Sequence, residues 1–187
     1  MMKKEIRVLG IDDSPFDKFK DEKVLVVGTF FRGGLVLDGV LSTHVEVDGF
    51  DSTDKLVEMI NSSKFKSQLQ CVLLDGIALG GFNVVNVERL HQEIGVPVVV
   101  VVRRKPDIQT IEVTLEKIGH SEKIPLIRKA GEPVAVGSIF IQQVGLDLDA
   151  AAEVIRLTTT NGMIPEPIRQ AHLIASGVVD GESRGRA

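Results

Sequence analysis

Two aspartates stand where a sheet could use them for chemistry. The apolar run Ile6-Arg7-Val8-Leu9-Gly10-Ile11 leads into Asp12-Asp13-Ser14-Pro15, and Gln70-Cys71-Val72-Leu73-Leu74 leads into Asp75-Gly76. Short runs of β-branched and apolar residues bounded by turn formers read as strands. Open α/β sheets gather their ligands at the carboxyl ends of strands. With those two strands side by side, Asp12 and Asp75 face one another, and each raises the other's pKa unless a cation neutralises the pair. Mg²⁺ or Mn²⁺ suits such oxygen donors, a third acid and waters completing the octahedron. An ion held this way activates water and stabilises an in-line phosphoryl transition state. Asp51, at the start of the helix after the third strand, is the candidate third acid, with Asp54 in reserve. Single acids at such positions more often cap helices or close strands, and the pairing of two strand ends is what favours function here. Asp13 projects to the opposite face from Asp12 and reads as a turn or cap residue.

Arg103-Arg104-Lys105 follow a valine-rich strand at the same sheet end as Asp75. Three cations there suit contact with a nucleic-acid phosphate, or they are solvated charge closing a strand; both readings stay open. Gly80-Gly81 offers backbone donors but matches no phosphate-loop fingerprint. A strand-to-helix turn is the simpler reading, with Asn83 as the helix N-cap. His44, His91, His120 and His172 are scattered, and none forms a zinc spacing such as HExxH. The chain also lacks nucleophile-elbow, Walker and dinucleotide fingerprints, so triad hydrolase, NTPase and dehydrogenase readings lose their main support. The lone Cys71 excludes a disulfide framework and a cysteine zinc site, and reads as a small buried hydrophobe.

The elements that must position the aspartates follow from periodicity. Residues 6–11, 24–32 and 35–47 are extended runs, the last two joined across Gly33-Gly34, and form an antiparallel meander. A helix carries Leu56, Met59 and Ile60 on one face. After the strand ending at Asp75 comes a helix over 84–94, closed by Gly95. Residues 96–102 are almost wholly apolar, as in a strand covered on both faces. The spacing of Ile108, Ile111, Leu115 and Ile118 predicts a helix over 107–118. Residues 124–129 and 134–143 read as short strands hinged about Gly131-Glu132-Pro133. A helix over 148–159 and a last one over 169–176 follow, the latter after the break at Pro165-Glu166-Pro167. Three antiparallel strands, a helix, a parallel strand, a helix and a further strand make the order of ribonuclease H-like α/β folds, a mixed sheet flanked by helices. Doubly wound nucleotide binders instead keep strict βα alternation.

At 187 residues and 43% apolar content, the chain suits one such domain, residues 1–178, with a polar, disordered tail at 179–187. The net charge of −4 gives no bulk pull toward nucleic acid or anionic membrane, although a local basic groove is compatible with it. No apolar stretch has the length of a membrane span. The charged start, residues 1–5, is not a signal-peptide core, so a cytoplasmic protein is expected. Trp and Tyr are absent, leaving Phe as the one aromatic available for base stacking.

The segments Val8-Leu9-Gly10-Ile11-Asp12-Asp13-Ser14, Val72-Leu73-Leu74-Asp75-Gly76, Gly95-Val96-Pro97-Val98-Val99 and Ile164-Pro165-Glu166-Pro167-Ile168-Arg169-Gln170-Ala171-His172 occur in this order. Together they resemble an archaeal family of uncharacterised proteins catalogued as domain of unknown function ninety-nine, itself similar to endonuclease V. The resemblance spans about residues 6–174, and the Ile-Pro-Glu-Pro segment is its most specific part. It implies a ribonuclease H-like fold and a nuclease directed at inosine-type lesions, with Asp12 and Asp75 matching the two metal-binding aspartates. Arg103 stands where endonuclease V has a lysine. The chain also departs from that pattern. Gly81 stands where endonuclease V has a histidine, and no later histidine occurs near Val144. Val47-Asp48-Gly49-Phe50 replaces the Pro-Tyr-Ile-Pro wedge.

Two functional readings result. One is a Mg²⁺- or Mn²⁺-dependent nuclease or phosphodiesterase on DNA or RNA, using Asp12, Asp75 and Asp51 for metal and Arg103, Arg104 and Lys105 for phosphate. The other is a binding module for nucleic acid or protein that kept the scaffold without the reaction. Oligomeric state is open, and the hairpin over 24–47 leaves a sheet edge that needs cover.

Overall fold

In the computed structural model, which describes residues 5–183, the chain starts with the meander β1 (Arg7–Asp13), β2 (Lys23–Arg32) and β3 (Val36–Glu46). Helix α1 (Ser52–Asn61) and strand β4 (Cys71–Asp75) come next, then the short ribbon β5 (Ala78–Leu79) and β6 (Asn83–Val84). Helix α2 (Val87–Ile94), strand β7 (Val98–Val102), and helices α3 (Ile108–Lys117) and α4 (Ile124–Lys129) follow. The hairpin β8 (Val134–Val136) and β9 (Ile139–Val144) precedes α5 (Leu148–Thr158) and α6 (Glu166–Asp180). Seven strands make one sheet in the order β3-β2-β1-β4-β7-β9-β8, with β1, β4 and β7 mutually parallel. This is the mixed, ribonuclease H-like sheet expected from the element order. Residues 1–4, part of the charged start, lie outside the described residues, as do 184–187 of the tail.

The alternation of side chains along a strand divides the core between the two sheet faces. Leu9, Ile11, Val72, Leu74, Val98 and Val100 face α1 and α2, meeting Leu56, Ile60, Leu90 and Ile94. Val8, Leu73, Val99, Val101 and Ile141 face the other way, onto Ala151 and Val154 of α5 and Ile168 of α6. That two-sided cover is why β4 and β7 are unbroken apolar runs. Each such side chain removed from water contributes roughly 1.5–3 kcal/mol.

Several local expectations are corrected. Residues 124–129 form α4 rather than a strand: Pro125 lies in its first turn, where its fixed φ suits a helix. Ile124 and Ile127, one turn apart, then pack together with Leu115 and Val84. The following hairpin turns at Gly137-Ser138, not at Gly131, since Val136 pairs with Ile139 and Gly137 has a φ of 60°. Helix α2 begins later than expected. Asn86, not Asn83, caps it by accepting the Arg89 N–H at 3.0 Å, and Asn83 lies in β6. Glu166-Pro167 starts α6 rather than delaying it, and the helix continues through Val179 to Asp180, where a tail was expected to begin.

The seat of α6 matters most for the site. A Cβ on Gly10 would stand 2.3 Å from the carbonyl carbon of Pro167. The Thr29 hydroxyl donates to the Pro167 carbonyl at 2.6 Å. The helix start thus rests directly on the backbone of β1. Gly10→Ala forces that contact apart and is expected to cost about 3 kcal/mol. Urea unfolding measures it, and a loss under about 1 kcal/mol would show that the seat can relax.

Candidate active site

The parallel register sets Ile11 opposite Leu74, so the next residues, Asp12 and Asp75, close neighbouring strands at their carboxyl ends. Asp12 is only 5% exposed. Its Oδ1 accepts the Asp13 N–H at 2.9 Å, and its Oδ2 lies 3.0 Å from Nδ1 of His172 on α6. Arg103, just past the end of β7, brings Nη1 to 3.4 Å from the Asp75 carboxylate.

Charge compensation at this centre is incomplete. Burial pushes Asp12 up to about 7, His172 pulling against it and the negative charges of Asp75 and Asp13 adding to it. Burial likewise raises Asp75 above the ordinary carboxylate range, against the opposing pull of Arg103 and His172. Neighbouring acids raised by desolvation, with repulsion added at Asp12, are the electrostatic setting a cation relieves.

Asp13 Oδ2 accepts the Gly80 N–H at 2.6 Å, fastening the loop between β5 and β6, while its carboxyl also meets the Asp12 side chain and has its pKa raised by burial and by the charge of Asp75. Asp51 is not brought to the pair. Its Oδ1 accepts the Glu46 N–H at 3.0 Å and the Asn83 side-chain amide at 2.7 Å. Asp54 is exposed and ion-paired with Arg89. Neither is among the charges acting on Asp12 or Asp75. Among the described residues, no three His, Cys, Asp or Glu side chains are grouped to hold a metal. Arg104 and Lys105 are exposed beyond Arg103.

His172 is the member that sequence reasoning passed over. Set among four scattered histidines it carried no local signal, and only its place in the segment 164–172 marked it out. A second unforeseen residue is Lys123, which is 1% exposed. Its ammonium donates to the carbonyls of Asp48 at 2.6 Å, Gly49 at 2.8 Å and Phe82 at 2.8 Å, and lies 4.1 Å from the Phe50 ring centroid. Its three protons are thus used in joining the loop after β3 to the loop between β5 and β6. Burial lowers its pKa. Asp48 completes the joint by accepting the Phe82 N–H at 2.7 Å. Gly81 packs so tightly here that a Cβ would meet Asp48 Oδ1 at 2.3 Å. A histidine there would have to adopt a φ of 86° and displace the Asp48 carboxylate. Lys123→Met strands three part-buried carbonyls and is expected to cost about 3 kcal/mol. Urea unfolding checks it, and an unchanged midpoint would mean that water replaces the ammonium.

Residues 4–179 match the family model described as endonuclease dU. A UPF0215 protein of Methanothermobacter thermautotrophicus is 49% identical over 100% of this chain and 94% of its own length. A crystal structure of a protein of unknown function from Archaeoglobus fulgidus shares 41% identity, covers 93% of this chain and 98% of its own, and has a TM-score of 0.87. Endonuclease V of Ciona intestinalis, in complex with inosine-containing DNA, has a TM-score of 0.56 at 18% identity, covering 89% of this chain and 82% of its own. At that identity the likeness is one of fold. The archaeal relatives and the endonuclease V-like fold agree with the resemblance carried by the four sequence segments. With nearly its whole length matched by one family model and by a relative of almost half identity, the chain belongs to the endonuclease dU family.

Proposed function

We propose that the protein is a divalent-metal-dependent endonuclease that hydrolyses a phosphodiester bond in DNA or RNA, acting in the cytoplasm. The observation that carries this reading is the pair of neighbouring carboxylates, Asp12 buried and Asp75 half-buried, whose negative charge one arginine and one histidine leave incompletely compensated. The donor set fits Mg²⁺ or Mn²⁺, since Mg²⁺ is commonly held by one or two carboxylates with waters and substrate phosphate filling the remaining positions. A cation there supplies an activated water and neutralises charge developing on the phosphoryl oxygens. Asp12 and Asp75 hold the ion. His172 orients Asp12 through its Oδ2 and is near enough to take part in proton movement at that oxygen. Arg103 balances Asp75 in the free protein and is placed to turn to a substrate phosphate, with Arg104 and Lys105 adding backbone contacts. The name of the family and the inosine-containing DNA bound by the Ciona enzyme point to nucleic acid with a deaminated base as the substrate class.

A second reading has one observation in its favour. Asp51 is engaged elsewhere, and among the described residues no three His, Cys, Asp or Glu side chains are grouped to hold a metal, as in a binding module that has lost the reaction. Incubation with labelled DNA and RNA, single-stranded and duplex, with and without deoxyuridine or inosine, in Mg²⁺ or Mn²⁺ separates the two. Metal-dependent cleavage is expected. Retained binding without cleavage under every condition would establish the binding module instead.

A further inference from the structure

Resting on the metal-dependent reading above, we infer that Arg103 is a built-in competitor for the cation. It sits on Asp75 in the free protein and must leave before a divalent metal is held there. The two acids of the pair are served differently. Asp12 has close partners in the Asp13 N–H at 2.9 Å and His172 at 3.0 Å. Both oxygens of Asp75 instead face a single nitrogen, Nη1 of Arg103, at 3.5 and 3.4 Å.

That contact is loose by the standard of this same chain. Charge-assisted N–H···O bonds normally span about 2.7–2.9 Å, and arginine commonly meets a carboxylate fork to fork. Four other arginines do so, each through two guanidinium nitrogens. Arg32 holds Asp38 at 2.8 and 3.0 Å, and Arg128 holds Glu112 at 2.6 and 2.8 Å. Arg156 holds Glu153 at 2.7 Å through both nitrogens, and Arg169 holds Glu166 at 2.9 and 2.8 Å. Arg103 stands farther off and turns one nitrogen to the space between the two oxygens. A charge so placed faces both oxygens at once, as a cation would. It neutralises the acid without binding it closely.

The arginine is also free to go. Arg103 follows Val102, the last residue of β7, on irregular chain before α3, and its side chain is 34% exposed. Rotation of the side chain alone can carry the guanidinium from Asp75 to solvent or to a phosphate, with no ladder hydrogen bond broken. While it stays, it lowers the cost of a carboxylate that is itself only 15% exposed. Burial raises the Asp75 pKa, and the charge of Arg103 is the strongest influence opposing that rise. A phosphate that draws Arg103 away must then favour metal binding, and metal must favour phosphate binding by the same factor. The contact thus keeps the site closed to metal until a nucleic acid is present to receive the arginine.

Calorimetric titration of Mn²⁺ alone into the full chain, without nucleic acid, tests the competition. If Arg103 occupies Asp75 for about nine-tenths of the time, removing it raises the apparent affinity about tenfold. Arg103→Gln and Arg103→Met are therefore expected to bind Mn²⁺ about tenfold more tightly than wild type. Arg104→Gln removes the same charge from the next residue, which is exposed, and is expected to stay within about twofold of wild type. Circular dichroism confirms folding, and Arg103→Met carries the test should Arg103→Gln misfold. Folded Arg103 variants that bind Mn²⁺ no more tightly than Arg104→Gln overturn the competition and leave the metal reading standing. Absence of Mn²⁺ binding throughout, or binding that Asp75→Asn keeps unchanged, overturns both.

Discussion

Replacing Asp75 or Asp12 by asparagine is expected to lower metal-dependent cleavage by about a thousandfold, roughly 4 kcal/mol of transition-state stabilisation. Both substitutions keep size and much of the hydrogen bonding while removing the charge that holds a cation. The two variants should also lose the stabilisation by Mg²⁺ or Mn²⁺ shown by the wild-type protein, since a ligand that binds only the native state raises its melting temperature. The comparison separates the roles of neighbouring acids. Asp13→Asn removes a charge that acts on Asp12 but keeps an oxygen for the Gly80 N–H, so it should reduce cleavage less than Asp12→Asn does. Asp51→Asn should act on stability, through the Glu46 edge, rather than on the metal response. Cleavage by Asp75→Asn within tenfold of wild type, with the metal-induced shift intact, would place the reaction elsewhere.

In the metal-free protein, stability should fall as pH rises from about 5 to 8, and added Mn²⁺ should reverse the slope. The sign comes from Asp12. Its folded-state pKa, about 7, lies above the ordinary value of 3.8, so between those values the folded chain holds a proton that the unfolded chain has released. That proton's contribution is fully present below about pH 4 and is lost as pH rises through 7. Its upper bound is about 4 kcal/mol, with the neighbouring carboxyls of Asp13 and Asp75 sharing the titration and reducing what is seen. A bound cation needs the ionised carboxylate, so its affinity rises over the same interval with release of a proton. Urea midpoints with chelator and with Mn²⁺, taken at intervals from pH 5 to pH 8, check both slopes. Asp12→Asn should flatten the metal-free curve and stand above wild type at pH 8, trading function for stability. A wild-type metal-free curve that climbs toward pH 8 would contradict the raised Asp12.

These expectations rest on features of unequal legibility. The two aspartates could be read directly, because strand periodicity and the carboxyl-end position are properties of a few consecutive residues. The sheet order followed from the succession of elements, since a meander followed by helix-linked parallel strands leaves few ways to pack. Residues 124–129 were misread for a local reason. Six apolar and basic residues carry no decisive period, and it was packing of Ile124 and Ile127 on Leu115 that selected a helix.

The sequence by itself determined where the carboxylates end their strands, and which runs have two apolar faces. Tertiary structure alone decided what meets them. His172 is 160 residues from Asp12 and reaches it because Gly10 lets the start of α6 lie on β1. Asp51 looked like a free acid at a helix start until the unpaired edge of Glu46 was seen to need its oxygen. Lys123 had the composition of a surface residue, yet three carbonyls from distant loops draw its ammonium inside. In each case the local chain offers a charge or a donor, and its partner is a group that becomes buried and unsatisfied only once the sheet and its loops are assembled.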